Sequence, residues 1–309
     1  MLIDLDSLTY SKHFPVSPHP FISEAFTELN SAKCEKVVRL VEEKEKPGMG
    51  LVAGIRNGVI HSPFSAPFGG FHFRKDIMYI GEVDSFVDSL KEYIESQGLS
   101  GIDITLPPYI YHLTFNEKLV NALIRSGLNF KLPDITNWVN LKQFQEKFSQ
   151  KNSKEYLRQA VRNALSFHLV DEREEQVEIY DIISSNRARF GRPIYMTFKD
   201  IEDTGALWPV DFFKVTTADK QMVASAIFYR SHPEICFALF WGDTEQGRPL
   251  RAMDFLTFHL WTHYKRLGFQ YIDLGISTEA GHPNEGLLRF KESHEATSSL
   301  KYTFSWSVS

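Results

Sequence analysis

Apolar and polar positions follow two different spacings along the chain, and each spacing predicts one kind of element. Helical spacing of three and four places one apolar stripe on residues 82–97, formed by Val83, Phe86, Val87, Leu90, Tyr93 and Ile94. Short apolar runs such as GIDIT and YIDLGI predict buried strands. Asn57-Gly58 between two apolar runs predicts a tight hairpin. The pattern is therefore that of an α/β chain.

The predicted elements occur in nearly the same order twice. The first half reads as a helix at 20–33, antiparallel strands, the helix at 82–97, a strand, a helix ending at Gly127 and two short strands. The second half reads as helices within 142–191, three strands, a helix at 249–266, the strand YIDLGIS, a helix at 284–292 and a closing strand. Ile102-Asp103 recurs as Ile272-Asp273, and Asn116-Glu117 recurs as Asn284-Glu285.

This repetition predicts two tandem domains, 1–141 and 142–309. Each would be a mixed, mostly antiparallel sheet flanked by helices. The length of 309 residues suits two domains of about 150 residues each. Because Asp103 and Asp273 occupy the same place in both halves, we interpret them as structural rather than as general bases.

Composition narrows the class of protein. A net charge of −5 gives no general attraction to nucleic acid or to anionic membranes. No apolar run approaches the roughly 20 residues that span a bilayer, and the acidic residues near the N-terminus are not typical of a secretory signal. Cys34 and Cys236 form no metal-binding spacing. We expect a cytoplasmic protein with reduced thiols and no metal.

Three segments carry a resemblance to a known fold. They are SPFSAPFGG at 62–70, SKEYLRQAVRNALSF at 153–167, and the stretch from 271 to 304 that contains Gly-Leu-x-x-Phe-Lys, here Gly286, Leu287, Phe290 and Lys291. The repeated unit resembles the GNAT (acyl-CoA N-acyltransferase) fold. Two such units on one chain resemble the Fem-type aminoacyltransferases. The resemblance implies transfer of an activated acyl group to a small-molecule or peptide-like amine acceptor.

The donor-binding signals depart from that pattern. The usual pyrophosphate loop, Gln/Arg-x-x-Gly-x-Gly/Ala, is not intact in GDTEQGRPLRAM, which has Gly247 but no second glycine at the proper spacing. Acyl-CoA or another acyl donor stays open. The long helical arm that some Fem-type enzymes carry is not recognisable, yet a tRNA-linked donor also stays open. The alternative is a non-catalytic binding or scaffold protein built on a duplicated GNAT fold.

Candidate donor-binding residues lie around two segments of the second half. Pro249 predicts the first turn of a helix, where free N–H groups bind anions. Arg248 and Arg251 would add charge-assisted bonds to a phosphate. Gly275, Ser277 and Thr278 follow the strand YIDL, and this small, polar segment predicts an open cleft wall. The matching TLPPY segment of the first half contains two prolines and predicts a closed strand end.

Other candidates concern the acceptor and the proton. Arg192 and Tyr195 follow a helix at the position where this fold usually binds the acceptor. Lys291 of the Gly-Leu-x-x-Phe-Lys motif is a further candidate for substrate binding. His282 and Glu285 are the ionisable pair suited to proton transfer near neutral pH. A basic stripe of Lys151, Lys154, Arg158 and Arg162 lies on one predicted helical face. It would either bind an anion or form a solvated surface.

Overall fold

The computed structural model describes residues 1–74 and 78–308, which form two compact units. The first unit contains Met1–Ile135, Thr278–His282 and Ser299–Ser309, and the second contains Thr136–Ser277 and Pro283–Ser298. Each unit is a mixed sheet covered by helices. The predicted α/β class, with two mixed sheets flanked by helices, is therefore confirmed.

In its described residues, the first unit is an eight-stranded sheet with four α-helices. Its helices are α1 (Ser7–His13), α2 (Glu24–Leu29), α3 (Ile80–Ser96) and α4 (Leu113–Arg125). Its strands are β1 (Leu2–Asp4), β2 (Lys36–Glu42), β3 (Met49–Arg56), β4 (Val59–Ser62), β5 (Phe71–Phe73), β6 (Gly101–Thr105), β7 (Asn129–Phe130) and β17 (Thr303–Ser307). The order is β1-β2-β3-β4-β6-β17-β7, with β5 paired to β3.

The second unit is a seven-stranded sheet with five helices. Its helices are α5 (Lys151–Arg162), α6 (Arg173–Arg189), α7 (Phe198–Gly205), α8 (Ala252–Arg266) and α9 (Glu285–Ser293). Its strands are β8 (Asp134–Asn140), β9 (Ser166–Val170), β10 (Val210–Thr216), β11 (Met222–Tyr229), β12 (Ile235–Asp243), β13 (Tyr271–Ile276) and β16 (Ala296–Lys301), in the order β16-β8-β13-β12-β11-β10-β9. A hairpin of β14 (Thr278–Glu279) and β15 (His282–Pro283) stands outside both sheets.

The two sheets exchange their last strands. β8, which ends the first half of the chain, pairs with β13 in the second sheet, while β17, which ends the second half, pairs with β6 in the first. Asp103 on β6 and Asp273 on β13 therefore have equivalent neighbours, one parallel and one antiparallel strand each. Their predicted equivalence is confirmed. The division into domains 1–141 and 142–309 stays a prediction, and the compact units differ from it by this exchange.

Local patterns placed most elements correctly. Every residue of the apolar stripe on α3 is buried. The Asn57-Gly58 turn joins β3 to β4 with φ of 49° and 73°, the left-handed values that such a hairpin requires.

Two predictions about helices were wrong. The expected helix at 20–33 is α-helical only at Glu24–Leu29, because Ser23 caps a new helix and the Asn30 side chain bonds back to the Phe26 carbonyl. Asn116 and Asn284 are not equivalent positions, since Asn116 lies inside α4 while Asn284 is the N-cap of α9.

Candidate functional site

Strand β13 leaves its parallel neighbour β12 soon after the two meet. Their pairing covers three residue pairs and ends at Phe237 and Asp273. On the other side, the register against β8 shifts between Asp273 and Ile276. Gly275 lies within this irregularity at φ 66°, a backbone conformation that glycine adopts without steric cost. The main-chain groups at the end of β13 therefore fall outside the regular hydrogen-bonding pattern of the sheet.

A buried lysine from α9 binds this strand end. Lys291 is 1 % exposed, and its Nζ lies 2.9, 3.0 and 2.9 Å from the carbonyl oxygens of Leu274, Gly275 and Ile276. An ammonium has three N–H donors, so the three carbonyls match its full donor capacity. Lys291 thus holds α9 against the irregular part of β13.

The electrostatics of this contact bring the pKa of the lysine close to neutral pH. Burial lowers the pKa of Lys291 to about 7, while the nearby Asp273 carboxylate opposes that shift. Asp273 is itself 1 % exposed and accepts the Gly275 N–H at 2.8 Å. Asp273 has the structural hydrogen bond that we expected.

The space beside Gly275 is open. A Cβ placed on Gly275 would meet no heavy atom of the described residues within 4 Å. The residue whose carbonyl accepts from the Lys291 ammonium, Gly275, therefore has a side that a ligand can approach.

The corresponding strand end of the first unit is closed, as predicted. The Thr105 carbonyl accepts the N–H of Gly69, the Leu106 N–H donates to Tyr302, and the Asn116 side chain donates to the Pro107 carbonyl. Counted from the start of each helix, the seventh residue of α4 is the buried Leu119 and the seventh residue of α9 is Lys291. The two helices therefore differ in chemistry at this position.

A second buried polar pair joins α9 to α8, and no spacing of residues in the sequence signals it. His294 Nε2 lies 3.0 Å from the Asp254 carboxylate, and its Nδ1 lies 2.7 Å from the Phe290 carbonyl. Nδ1 also lies 3.1 Å from the Ser293 hydroxyl, so both ring nitrogens have hydrogen-bond partners. His294 and Asp254 are 2 % and 6 % exposed. This buried hydrogen-bonded pair fixes the helix that carries Lys291.

Ser277 and Thr278 are buried rather than displayed on a cleft wall. The Ser277 hydroxyl donates to the Asn137 side chain, and the Thr278 hydroxyl donates to Asp134. Both side chains are at most 5 % exposed. Their hydroxyls stabilise the chain after β13 in the observed arrangement, so a ligand would have to displace these partners.

The arginines before α8 already have partners. The predicted start of this helix at Pro249 was wrong, since α8 begins at Ala252 after Arg251, which has a φ of 60°. The Arg251 guanidinium lies 3.8 Å from the ring centre of Tyr156, and Arg248 lies 3.7 Å from the Asp243 carboxylate. Gly247 is required by close packing, because a Cβ there would lie 2.2 Å from the Val223 carbonyl oxygen.

Replacing both arginines tests whether they also bind a donor. We expect the double variant Arg248→Ala/Arg251→Ala to bind a CoA-type ligand at least tenfold more weakly, equivalent to about 1.4 kcal/mol. Isothermal titration would measure the affinity. The matched control is Arg173→Ala/Arg266→Ala, which removes two exposed, ion-paired arginines of the same unit. Equal affinities of the two double variants would place the donor elsewhere.

The remaining candidates lie on other elements. His282 is exposed in β15, and Glu285 is exposed at the first position of α9. These two residues fall in different compact units. Arg192 and Tyr195 lie between α6 and α7, and the Tyr195 side chain is 92 % exposed. Of the predicted residues, the structure brings Gly275 and Lys291 into direct contact.

The described residues hold no cluster of metal ligands and no helix that could span a membrane. Within 1–74 and 78–308, no group of three or more His, Cys, Asp or Glu side chains is arranged to hold a metal ion. In the same residues, no helix has the length and apolar character needed to cross a bilayer.

Comparison with known proteins finds similarity of fold without detectable similarity of sequence. No family model matches the chain, and no curated protein matches it. The structure of FemX superposes with a TM-score of 0.68 at 11 % identity, covering 100 % of this chain and 97 % of FemX.

Two further structures show the same tandem architecture. The C-terminal domain of a putative lysylphosphatidylglycerol synthetase from Agrobacterium fabrum has a TM-score of 0.61 at 12 % identity, covering 97 % of this chain and 92 % of that one. A tandem GNAT protein from the clavulanic acid biosynthesis pathway has a TM-score of 0.57 at 7 % identity, covering 99 % and 98 %. The chain has a Fem-like tandem GNAT fold.

Proposed function

We propose that the second unit is an acyl- or aminoacyl-transferase that moves an activated acyl group to an amine acceptor by direct attack. The observation that carries this proposal is the contact between Lys291 and the carbonyls of residues 274–276, beside the open space at Gly275. Burying an ammonium is costly even when carbonyl partners offset part of the cost, and this one is placed beside a strand end that a ligand can approach. FemX and a lysylphosphatidylglycerol synthetase share the fold, which agrees with the proposed transfer.

The donor carbonyl would lie in the gap between β12 and β13. Beyond Phe237 the pairing of β12 with β13 has ended, and in this proposal N–H groups of β12 on that side would donate to the ligand. N–H donors aimed at an acyl oxygen stabilise the negative charge that develops on it. The positive charge of Lys291 would add to that field at low dielectric.

The reaction needs no covalent enzyme intermediate. The acceptor nitrogen forms a bond to the acyl carbon, a tetrahedral intermediate carries the negative charge, and the bond to the donor's leaving sulfur or oxygen then breaks. The proton released by the amine goes to the leaving group or to a base. Glu285, at the first position of α9, is our candidate for that proton transfer.

Donor and acceptor are assigned by chemistry alone. Acyl-CoA would suit the anion site that we propose at Arg248 and Arg251, and a tRNA-linked acyl group is the other candidate donor. Arg192 and Tyr195 would bind a small-molecule or peptide-like amine acceptor. These assignments remain proposals.

A titration with acyl-CoA tests the proposal directly. A ligand that binds the native state alone stabilises it by about 2.7 kcal/mol at a concentration of 100 Kd, so we expect the melting temperature to rise. Gly275→Asn should abolish the rise, because Asn tolerates the left-handed backbone while its side chain fills the space that the ligand needs.

The matched control is Gly268→Asn. Gly268 has φ 89° and also meets no described atom within 4 Å, but it ends α8. This variant should keep the response. If neither acyl-CoA nor aminoacyl-tRNA raises the melting temperature or serves as a donor to an amine, the non-catalytic scaffold reading replaces the transferase.

A further inference from the structure

A separate cavity lies between α5 and α8 in the second unit. Its volume is about 560 Å³, and it is lined by Leu157, Arg158, Val161, Arg162, Phe258 and His259. Ligand pockets commonly measure about 300–1,000 Å³. The Lys291 contact and the donor-binding candidates above contribute none of these lining residues, so the cavity is distinct from the proposed transferase site.

Two parallel stripes on α5 give the cavity an amphipathic wall. Leu157 and Val161 lie one helical turn apart, and Arg158 and Arg162 lie one turn apart beside them. Val161 is 61 % exposed although it is aliphatic. An aliphatic surface of this kind next to cationic heads favours a ligand with an apolar chain and an anionic end.

The charges at the cavity are unbalanced. Arg158 and Arg162 both pair with the single carboxylate of Glu155, at 3.6 and 3.2 Å. No acidic residue is among the residues described as lining the cavity. The two guanidinium groups and the one carboxylate together carry a net charge of about +1, which is available to an anionic ligand.

The floor of the cavity is aromatic and uncharged. His259 stacks on Phe167 at 5.3 Å and contacts Phe255 at 4.2 Å. Burial lowers the pKa of His259, and the nearby Arg266 lowers it further. A neutral imidazole on an aromatic floor suits a hydrocarbon chain and does not compete with the arginines for the anion.

We propose that this cavity binds a single-chain aliphatic carboxylate, that is, a free fatty acid. The chain would lie against Leu157, Val161 and Phe258, and the carboxylate would accept hydrogen bonds from Arg158 and Arg162. A guanidinium binds a carboxylate through two parallel N–H bonds. The stem of each arginine also covers apolar surface, so the same side chains contact both parts of the ligand.

Laurate, kept below the concentration at which it forms micelles, is the probe for isothermal titration. We expect saturable binding of one laurate per chain. Dodecyltrimethylammonium has the same chain with a positive head and should not bind, and acetate has the head without the chain and should not bind either. Equal binding of laurate and dodecyltrimethylammonium would overturn the carboxylate assignment.

The arginine pair is tested with variants on the same helix. Arg158→Gln/Arg162→Gln should weaken laurate at least tenfold, while Lys151→Gln/Lys154→Gln, which changes two exposed lysines earlier in α5, should leave the affinity unchanged. All four side chains are exposed, so both variants should fold, and their melting temperatures verify this. Equal affinities of the two variants would overturn the proposal.

Vesicles of phosphatidylglycerol separate a soluble ligand from a membrane surface. Laurate binding without vesicle binding supports the proposal. Vesicle binding that depends on Arg158 and Arg162, with no binding of monomeric laurate, would overturn it in favour of a lipid headgroup site.

Discussion

Lys291→Met is expected to lower the rate of acyl transfer at least a hundredfold. In other enzymes, removing one preorganised hydrogen-bond donor of the oxyanion hole costs about 10²–10³ in kcat. We expect a comparable loss when the positive charge of Lys291 is removed. Methionine keeps the apolar stem and fills the helix position, so the loss would report the ammonium rather than the packing. Transfer to a model amine, measured with the donor that the titration identifies, gives the comparison.

The same variant has a pH signature that does not depend on knowing the substrate. The folded pKa of Lys291 is about 7, below the ordinary value of 10.5. Between these values the unfolded chain binds more protons than the folded one, so rising pH stabilises the folded state. The penalty for burying the charge is complete below pH 7 and is relieved above it.

The stability of the wild-type protein relative to Lys291→Met should therefore increase from pH 7 to pH 9, by at most about 1.4 kcal/mol per pH unit. Urea unfolding at several pH values measures the difference. The control for transfer is Lys214→Met, which changes a partly buried lysine paired with Glu175 elsewhere in the unit. Unchanged transfer by Lys291→Met would end the proposed role, and a pH-independent stability gap would show that the ammonium stays charged throughout.

Asp254→Ala is expected to destabilise the protein by about 1–3 kcal/mol, because removal of the carboxylate leaves a buried imidazole without this hydrogen-bond partner. The partner is His294, whose ring also contacts Phe148 at 4.8 Å and Phe290 at 4.2 Å. Urea denaturation would measure the loss. Asp254→Asn should lose less, since its amide oxygen still accepts from the imidazole.

This prediction extends to function through the geometry of α9. His294 follows Lys291 by about one helical turn, so loosening this hydrogen-bonded pair should also displace the ammonium. Transfer should then fall in proportion to the fraction of folded protein that is lost. Asp203→Ala is the control, because it breaks an exposed pair with Lys199 that is worth about 0.2–1 kcal/mol. A loss for Asp254→Ala no larger than the control's would show that the buried pair contributes little.

The sequence by itself determined the local elements and the duplication. The stripe on α3, the Asn57-Gly58 hairpin and the strands of Asp103 and Asp273 depend on contacts between near neighbours, which spacing and turn chemistry encode. The contrast between Pro107-Pro108 and Gly275 is also local, since proline has no N–H and glycine permits a positive φ. These features predicted which strand end is closed.

Only the tertiary structure decided the contents of the candidate site. Lys291 was named from a motif, but its three carbonyl partners follow from the packing of α9 against a strand 15 to 17 residues earlier. Ser277 and Thr278 were expected in a cleft and are buried, because Asn137 and Asp134 reach them from β8. The partners of Arg248 and Arg251 are likewise set by neighbours from α5 and β12.

The exchange of β8 and β17 between the sheets shows the same limit on a larger scale. Each strand has an ordinary apolar pattern that would suit either sheet, so nothing in its own residues states which one it joins. Pairing is decided by backbone hydrogen bonds and by burial against distant strands. Periodicity reports the neighbours of a residue along the chain, whereas Asn137 and Asp134, which bind Ser277 and Thr278, lie 140 and 144 residues away in the sequence.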